Sequence, residues 1–230
     1  MKLYFLPLLL LFLAPQGIHA DILERSRTLL AQDARLEPQP TPRSFMIQEL
    51  RSNGAVRETL QVLTPEQEGE EPIFLLNGNR INPETDSLGR FDNFADNFPT
   101  ANSGGNEDDD VDGVSGASSD PQAGLPRFET LRTRRDRGTE LINGRQTRVL
   151  EVEFNTWGGD VNRGKLWVLP VTGEPVQFQY DAKTPFLVSA TTTSQFNPGL
   201  NGTIERRSME IMFRIGVLML SRTYRMFIEY

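Results

Sequence analysis

The chain has no cysteine and a single histidine, His19. No disulfide can brace the fold, so its stability has to come from a packed core, and 230 residues are enough for a sizeable one. If His19 leaves with an N-terminal leader, Ser–His–Asp and Cys–His catalysis and the usual zinc sites are excluded. Only carboxylate chemistry survives that cut. A membrane-spanning run is missing as well. The apolar stretch from Leu3 to Leu13 is too short, since a span needs about 20 residues.

The opening "MKLYFLPLLLLFLAPQGIHA" has one charge at Lys2, the apolar run, then Pro15, Gly17 and a small Ala20. That order is the pattern of a cleavable secretory signal peptide over residues 1–20. The expected exported chain, residues 21–230, starts at Asp21 as a single domain, and no cysteine follows the cut to take a lipid.

The net charge of −7 is unevenly spread. Residues 64–121 hold fourteen acids against Arg80 and Arg90. The rest of the chain is mildly basic and rich in arginine, notably Arg127, Arg132, Arg134, Arg135, Arg137, Arg145 and Arg148. Nucleic-acid platforms interleave such cations with stacking aromatics, which this cluster lacks. The expectation is therefore a solvated strand face and no nucleic-acid partner.

Residues 21–35 read as a helix with Ile22, Leu23, Ser26, Leu29 and Leu30 on one face. A proline-rich linker follows. Alternating runs then flank Asn53-Gly54, with Phe45 and Ile47 before it and Leu60 and Val62 after it, as in a hairpin of half-buried strands. A further strand leads to Asn77-Gly78. In "GRFDNFADNFP" the period changes: Phe91, Phe94 and Phe98 fit one edge of a short helix closed by Pro99.

Residues 100–124 are rich in Gly, Ser and Asp and are expected to be a flexible acidic loop. Asp108, Asp110, Asp112 and Gly113 imitate the start of a calcium loop, but the twelfth position is Ser119 where a bidentate Glu is needed. They are a weak metal candidate, and no metal or other cofactor is expected.

From Arg127 onward the pattern is strand after strand, with nine or ten strands expected, paired in sequence order through short turns. Leu150, Val152 and Phe154 oppose Glu151 and Glu153, and Val176, Phe178 and Tyr180 oppose Gln177 and Gln179. Met209, Ile211, Phe213 and Ile215 share a face, as do Tyr224, Met226, Ile228 and Tyr230. A carboxylate hydrolase could use, for example, Glu151 and Glu153. Their alternation among basic neighbours is ordinary strand surface, so no enzyme is expected.

The segment "ELINGRQTRVLEVEF…GKLWVLPVTGEPVQFQY" joins an I-x-G-R turn, a G-x-x-W strand and a T-G-x-P turn. In this it resembles periplasmic proteins of the outer-membrane lipoprotein carrier (LolA/LolB-like) superfamily. The resemblance is best over the last hundred residues. It implies a mainly β fold with a few helices, in which a curved antiparallel sheet forms an incomplete (half) β-barrel covered by short helices. It also implies a periplasmic binding or carrier protein for a lipid, a lipoprotein acyl chain or another amphiphile, without stable membrane insertion. The candidate ligand-binding residues are then Phe91, Phe94 and Phe98 as a gate, with Trp167, Phe178, Met209, Ile211 and Phe213 as lining. Whether Trp167 or the alternate set Leu166 and Val168 faces the ligand stays open. The competing expectation is a cell-envelope interaction or sensor module with a protein partner and a filled interior.

Overall fold

The structure is a computed structural model that describes residues 21–35, 41–65, 70–83, 85–89, 91, 124–184, 188–199, 202–217 and 220–230. The expected signal peptide, most of the acidic loop, Phe94, Phe98, Asp108, Asp110 and Asp112 lie outside these residues. The described chain has one helix, α1 (residues 21–34), and eleven strands. The first group is β1 (Ser44–Leu50), β2 (Val56–Leu63), β3 (Ile73–Leu76) and β4 (Asn79–Ile81). The second is β5 (Pro126–Ile142), β6 (Arg145–Thr156), β7 (Val161–Val168) and β8 (Pro175–Thr184), followed by β9 (Val188–Pro198), β10 (Ile204–Val217) and β11 (Leu220–Glu229). No helix among the described residues is long and apolar enough to cross a membrane.

All eleven strands belong to one sheet, ordered β4-β3-β2-β1-β11-β10-β9-β8-β7-β6-β5. The fold is thus mainly β, with an antiparallel sheet that is not closed, as an incomplete barrel requires. Pairing in sequence order is corrected at two points. β1 lies between β2 and β11, with Ser44 opposite Glu229 and Leu50 opposite Thr223. β4 and β5, consecutive in the chain, occupy the two opposite edges. Short turns force neighbours to pair, whereas the long stretch between Ile81 and Pro126 leaves its flanking strands free of that constraint.

Turn chemistry fixes the local registers. Asn77 and Gly78 both have positive φ, as do Asn143 and Gly144, which is the conformation a two-residue hairpin turn requires. Asn53-Gly54 behaves differently. Only Gly54 is left-handed there, and Asn53 instead accepts the Ala55 N–H at 3.0 Å in a longer loop closed by Arg51 and Ala55.

By contact, the described chain separates into two compact units. One combines α1 with β5–β7, β8 as far as Asp181, the second part of β9 and the start of β10; the other contains β1–β4, the end of β8, the start of β9, the rest of β10, and β11. In the first unit, Ile22, Ser26, Leu29, Leu30 and Asp33 form the buried stripe of α1. The T-G-x-P turn is where this helix docks. The Ser26 hydroxyl lies 2.9 Å from the Ile22 carbonyl and 2.5 Å from the Gly173 carbonyl, and donates to one at a time. Gly173 has φ of 70°, and a Cβ there would sit 2.9 Å from the Ile22 carbonyl oxygen. The motif glycine therefore answers to two constraints, a left-handed turn and the approach of a helix. Gly173→Ala is expected to cost about 1–3 kcal/mol, read as a lower urea midpoint. An unchanged midpoint would show that the helix does not rest on this turn.

The G-x-x-W glycine has a similar explanation. A Cβ on Gly164 would come within 2.4 Å of the Gln179 carbonyl oxygen, so β7 and β8 could not keep their spacing. Behind it, Phe178 makes edge contacts with Phe128 at 5.3 Å and Phe154 at 5.5 Å and stacks on Tyr180 at 5.5 Å. With Leu150, Val152 and Leu166 these rings fill the core of the unit.

Candidate functional site

The second unit has a different kind of interior. Alternation places Phe45 and Ile47 of β1, Leu60 and Val62 of β2, and Phe74 of β3 in one buried cluster with Tyr224 of β11. A tight turn, closed by the Phe91 N–H donating to the Leu88 carbonyl at 3.2 Å, adds Leu88 and Phe91. Phe91 is wholly buried, so the gate residue that is described sits inside the cluster.

Toward β10 and β11 the same face loses its cover. Phe213, Met226 and Ile228 pack against the cluster but stay half-buried. Met209 lies opposite Ile228 and Ile211 opposite Met226, so these two half-buried side chains extend the stripe. Phe213 stacks on Tyr224 with centroids 5.3 Å apart, which ties the open stripe to the closed core. The result is an apolar surface, closed at β1–β2 and partly open along β10–β11, with Leu76 of β3 and Ile81 of β4 half-buried at its other margin.

One end of this face is polar. Glu49 continues the β1 alternation of Phe45 and Ile47, is 2 % exposed, and lies opposite both Glu58 and Tyr224. Its carboxylate is 3.7 Å from Arg57. The Arg222 guanidinium is held above its ordinary pKa, first by its hydrogen bond with Tyr224 and then by the charge of Glu49. The apolar stripe thus ends in a charged pole.

The structure brings Phe91, Met209, Ile211 and Phe213 onto this face and places Trp167 and Phe178 in the other unit. Those two are also apart from each other. Leu166 lies opposite Phe178 and Trp167 opposite Gln177, so they point to opposite sides of the sheet. Phe178 is in the ring cluster, while the Trp167 indole N–H donates to Glu140 at 2.8 Å. Met226, Ile228 and Glu49 complete the face; Ile228 and Glu49 were not among the expected site residues. Glu49 was legible as an acid in phase with Phe45 and Ile47.

Both carboxylates of the pair are engaged by arginines. Glu151 accepts from Arg137 at 2.6 Å, and Glu153 lies between Arg134 at 3.8 Å and Arg163 at 3.7 Å. A general acid needs a raised carboxyl pKa, whereas the hydrogen bond from Arg137 holds Glu151 below the ordinary range. Glu129 is lowered too, mainly by backbone hydrogen bonding and also by Arg35. Both groups have depressed folded pKa values, so their contribution to stability is present above the unfolded value of 4.5 and is lost as pH falls through the folded values. The urea midpoint is expected to stay level from neutrality down to that value and to drop below it. A midpoint that rises on acidification would contradict these pairs.

Two open hollows lie in the other unit. One of about 320 Å³ lies among Arg134, Glu151, Arg163, Lys165 and Asp181. The other, about 560 Å³, runs along α1 beside Glu24, Thr28, Gln32 and Thr203. Among the described residues no group of acids or histidine is arranged to hold a metal ion.

No family model matches the chain, and no curated protein matches it. Among solved structures it is similar to a domain from Vibrio parahaemolyticus, provisionally described as an outer membrane lipoprotein-sorting protein. Identity is 12%, coverage 90% of this chain and 91% of that one, and the TM-score 0.34. A LolA superfamily protein from Nitrosomonas europaea is similar at 13% identity, with 92% and 91% covered and a TM-score of 0.33. MucB, solved in complex with MucA(peri), is similar at 10% identity, with 91% and 93% covered and a TM-score of 0.21.

Proposed function

We propose that the chain is a periplasmic, non-enzymatic binding or carrier protein for a lipid, a lipoprotein acyl chain or another amphiphile, exported by residues 1–20. The observation that carries this reading is the apolar face of β1, β10 and β11, which passes from the closed cluster at Ile47 and Leu60 to half-open Phe213, Met226 and Ile228. Covering that stripe with an alkyl chain gains about 25 cal/mol for each Å² removed from water. The thioethers of Met209 and Met226 adapt to chains of varied shape. The pole at Glu49 and Arg222 receives the polar end. The sequence resemblance to lipoprotein carriers supports the same reading.

Native mass spectrometry of the protein purified from the periplasm, followed by organic extraction, tests it. The expected result is an extractable adduct of lipid mass. A bare mass, with no uptake of a hydrophobic fluorescent probe, would contradict the reading. Ile211→Glu is expected to weaken probe binding roughly tenfold or more, because the chain would then meet a charge on the stripe. Since Ile211 is half-buried, the stability cost should be small by comparison.

The second reading is an envelope interaction module with a protein partner on the same face. The ring cluster of Phe128, Phe154, Phe178 and Tyr180 favours it, because a core packed by its own rings is what a module without cargo would have. A bare mass together with a co-purifying protein would select it.

A further inference from the structure

We infer that the β6–β7 turn is a contact point for an anionic membrane surface, independent of the cargo face. The turn is tight: Thr156 N–H donates to the Asp160 carbonyl at 2.8 Å and Gly159 N–H to the Thr156 carbonyl at 3.0 Å. It carries three large apolar side chains in water, with Trp157 52%, Val161 62% and the neighbouring Leu125 49% exposed. The Trp157 N–H donates to the Leu125 carbonyl at 3.1 Å, which holds the start of β5 against the turn. Arg127 lies over the Trp157 ring, 5.0 Å from its centroid.

An exposed indole capped by a guanidinium suits the headgroup layer of a bilayer. The ring partitions among the glycerol and upper acyl groups, and the cation meets phosphate. The charge around the turn fits the same surface, because Arg35, Arg127, Arg132 and Arg163 outnumber Glu129, Glu153 and Asp160. A protein hot spot would need a surrounding rim to exclude water. A short hairpin turn with half or more of its apolar side chains in water gives little such rim, and lipid contact needs none. The contact is interfacial, with no segment crossing the bilayer.

Flotation with vesicles of phosphatidylglycerol and phosphatidylcholine in equal parts, against phosphatidylcholine alone, tests the inference on the whole protein. Acrylamide quenching supplies a second readout, since Trp157 is exposed and Trp167 is 5% exposed. The expected result is flotation with the anionic vesicles only, weakened by salt, with Trp157 protected from quenching. Arg127→Gln is expected to lower partitioning about fivefold, the equivalent of about 1 kcal/mol per basic residue at an anionic surface. Trp157→Ser should lower it further while leaving folding intact, because the side chain is on the surface. Absence of flotation, equal flotation with phosphatidylcholine alone, or flotation indifferent to Trp157→Ser would each overturn the inference. So would a photocrosslinker at position 157 that captures a protein and no lipid.

Discussion

Arg206→Leu is expected to lower stability by about 3–5 kcal/mol, a large share of the 5–15 kcal/mol that ordinarily holds a domain folded. Arg206 of β10 donates to the Asp33 carboxylate at 2.6 Å, where the Asp33 side chain is 2% and the Arg206 side chain 16% exposed. Asp33 sits in the last turn of α1, where the helix dipole disfavours an anion. It therefore depends on the guanidinium twice, for its burial and for its place on the helix. Removing the arginine leaves a buried carboxylate without its cation, which pulls the helix end toward water. The double replacement Asp33→Leu with Arg206→Leu is expected to recover most of the loss, because no charge is then left buried. Urea denaturation of the three variants decides it. A single-variant loss under about 1 kcal/mol would mean that water reaches Asp33 and that the pair is ordinary surface.

The second large effect is expected at Phe178, which is 1% exposed and touches Phe128, Phe154 and Tyr180. Phe178→Ala removes the ring at the centre of that cluster and should cost about 3–5 kcal/mol through lost transfer energy and the cavity left behind. Amphiphile binding, measured at low temperature where the variant stays folded, is expected to persist, since the half-open stripe belongs to the other unit. Lost binding with little lost stability would place Phe178 at the ligand. Phe213→Ala is the natural counterpart: its ring is half-buried, so affinity should fall more than stability does.

Much of this architecture was legible in the chain. Strict alternation in Phe45–Ile47, Leu150–Phe154 and Val176–Tyr180 marks strands that bury one face, and it does so because successive side chains leave a strand on opposite sides. The helical stripe from Ile22 to Leu30 was equally plain. Alternation could not say which face is inside at β7. There both sets are buried: Leu166 and Val168 on one side, Trp167 on the other. Trp167 owes its fixed place partly to Glu140, 27 residues away, and no local pattern reports that distance.

The pairing of β1 with β11 was hidden for the same reason, since it joins chain ends that no turn connects. The Asp33–Arg206 bridge had a faint signal. Asp33 lies seven residues after Ser26 on the apolar stripe, where an acid calls for a buried cation, but the sequence offered no means of choosing Arg206 among the many arginines. The candidate site divided in a similar way. Met209, Ile211 and Phe213 were visible as one strand face, whereas Met226, Ile228 and Glu49 joined them only through cross-strand register.

The central claim is that an amphiphile lies on the half-open face of β10 and β11. Photolabelling with a diazirine-bearing fatty acid, followed by peptide mapping, tests it most directly. The account predicts adducts concentrated at Met209, Ile211, Phe213, Met226 and Ile228, and displaced by excess unlabelled fatty acid. Saturable labelling confined to the α1 and β5–β8 unit, or no saturable labelling at all, would contradict it.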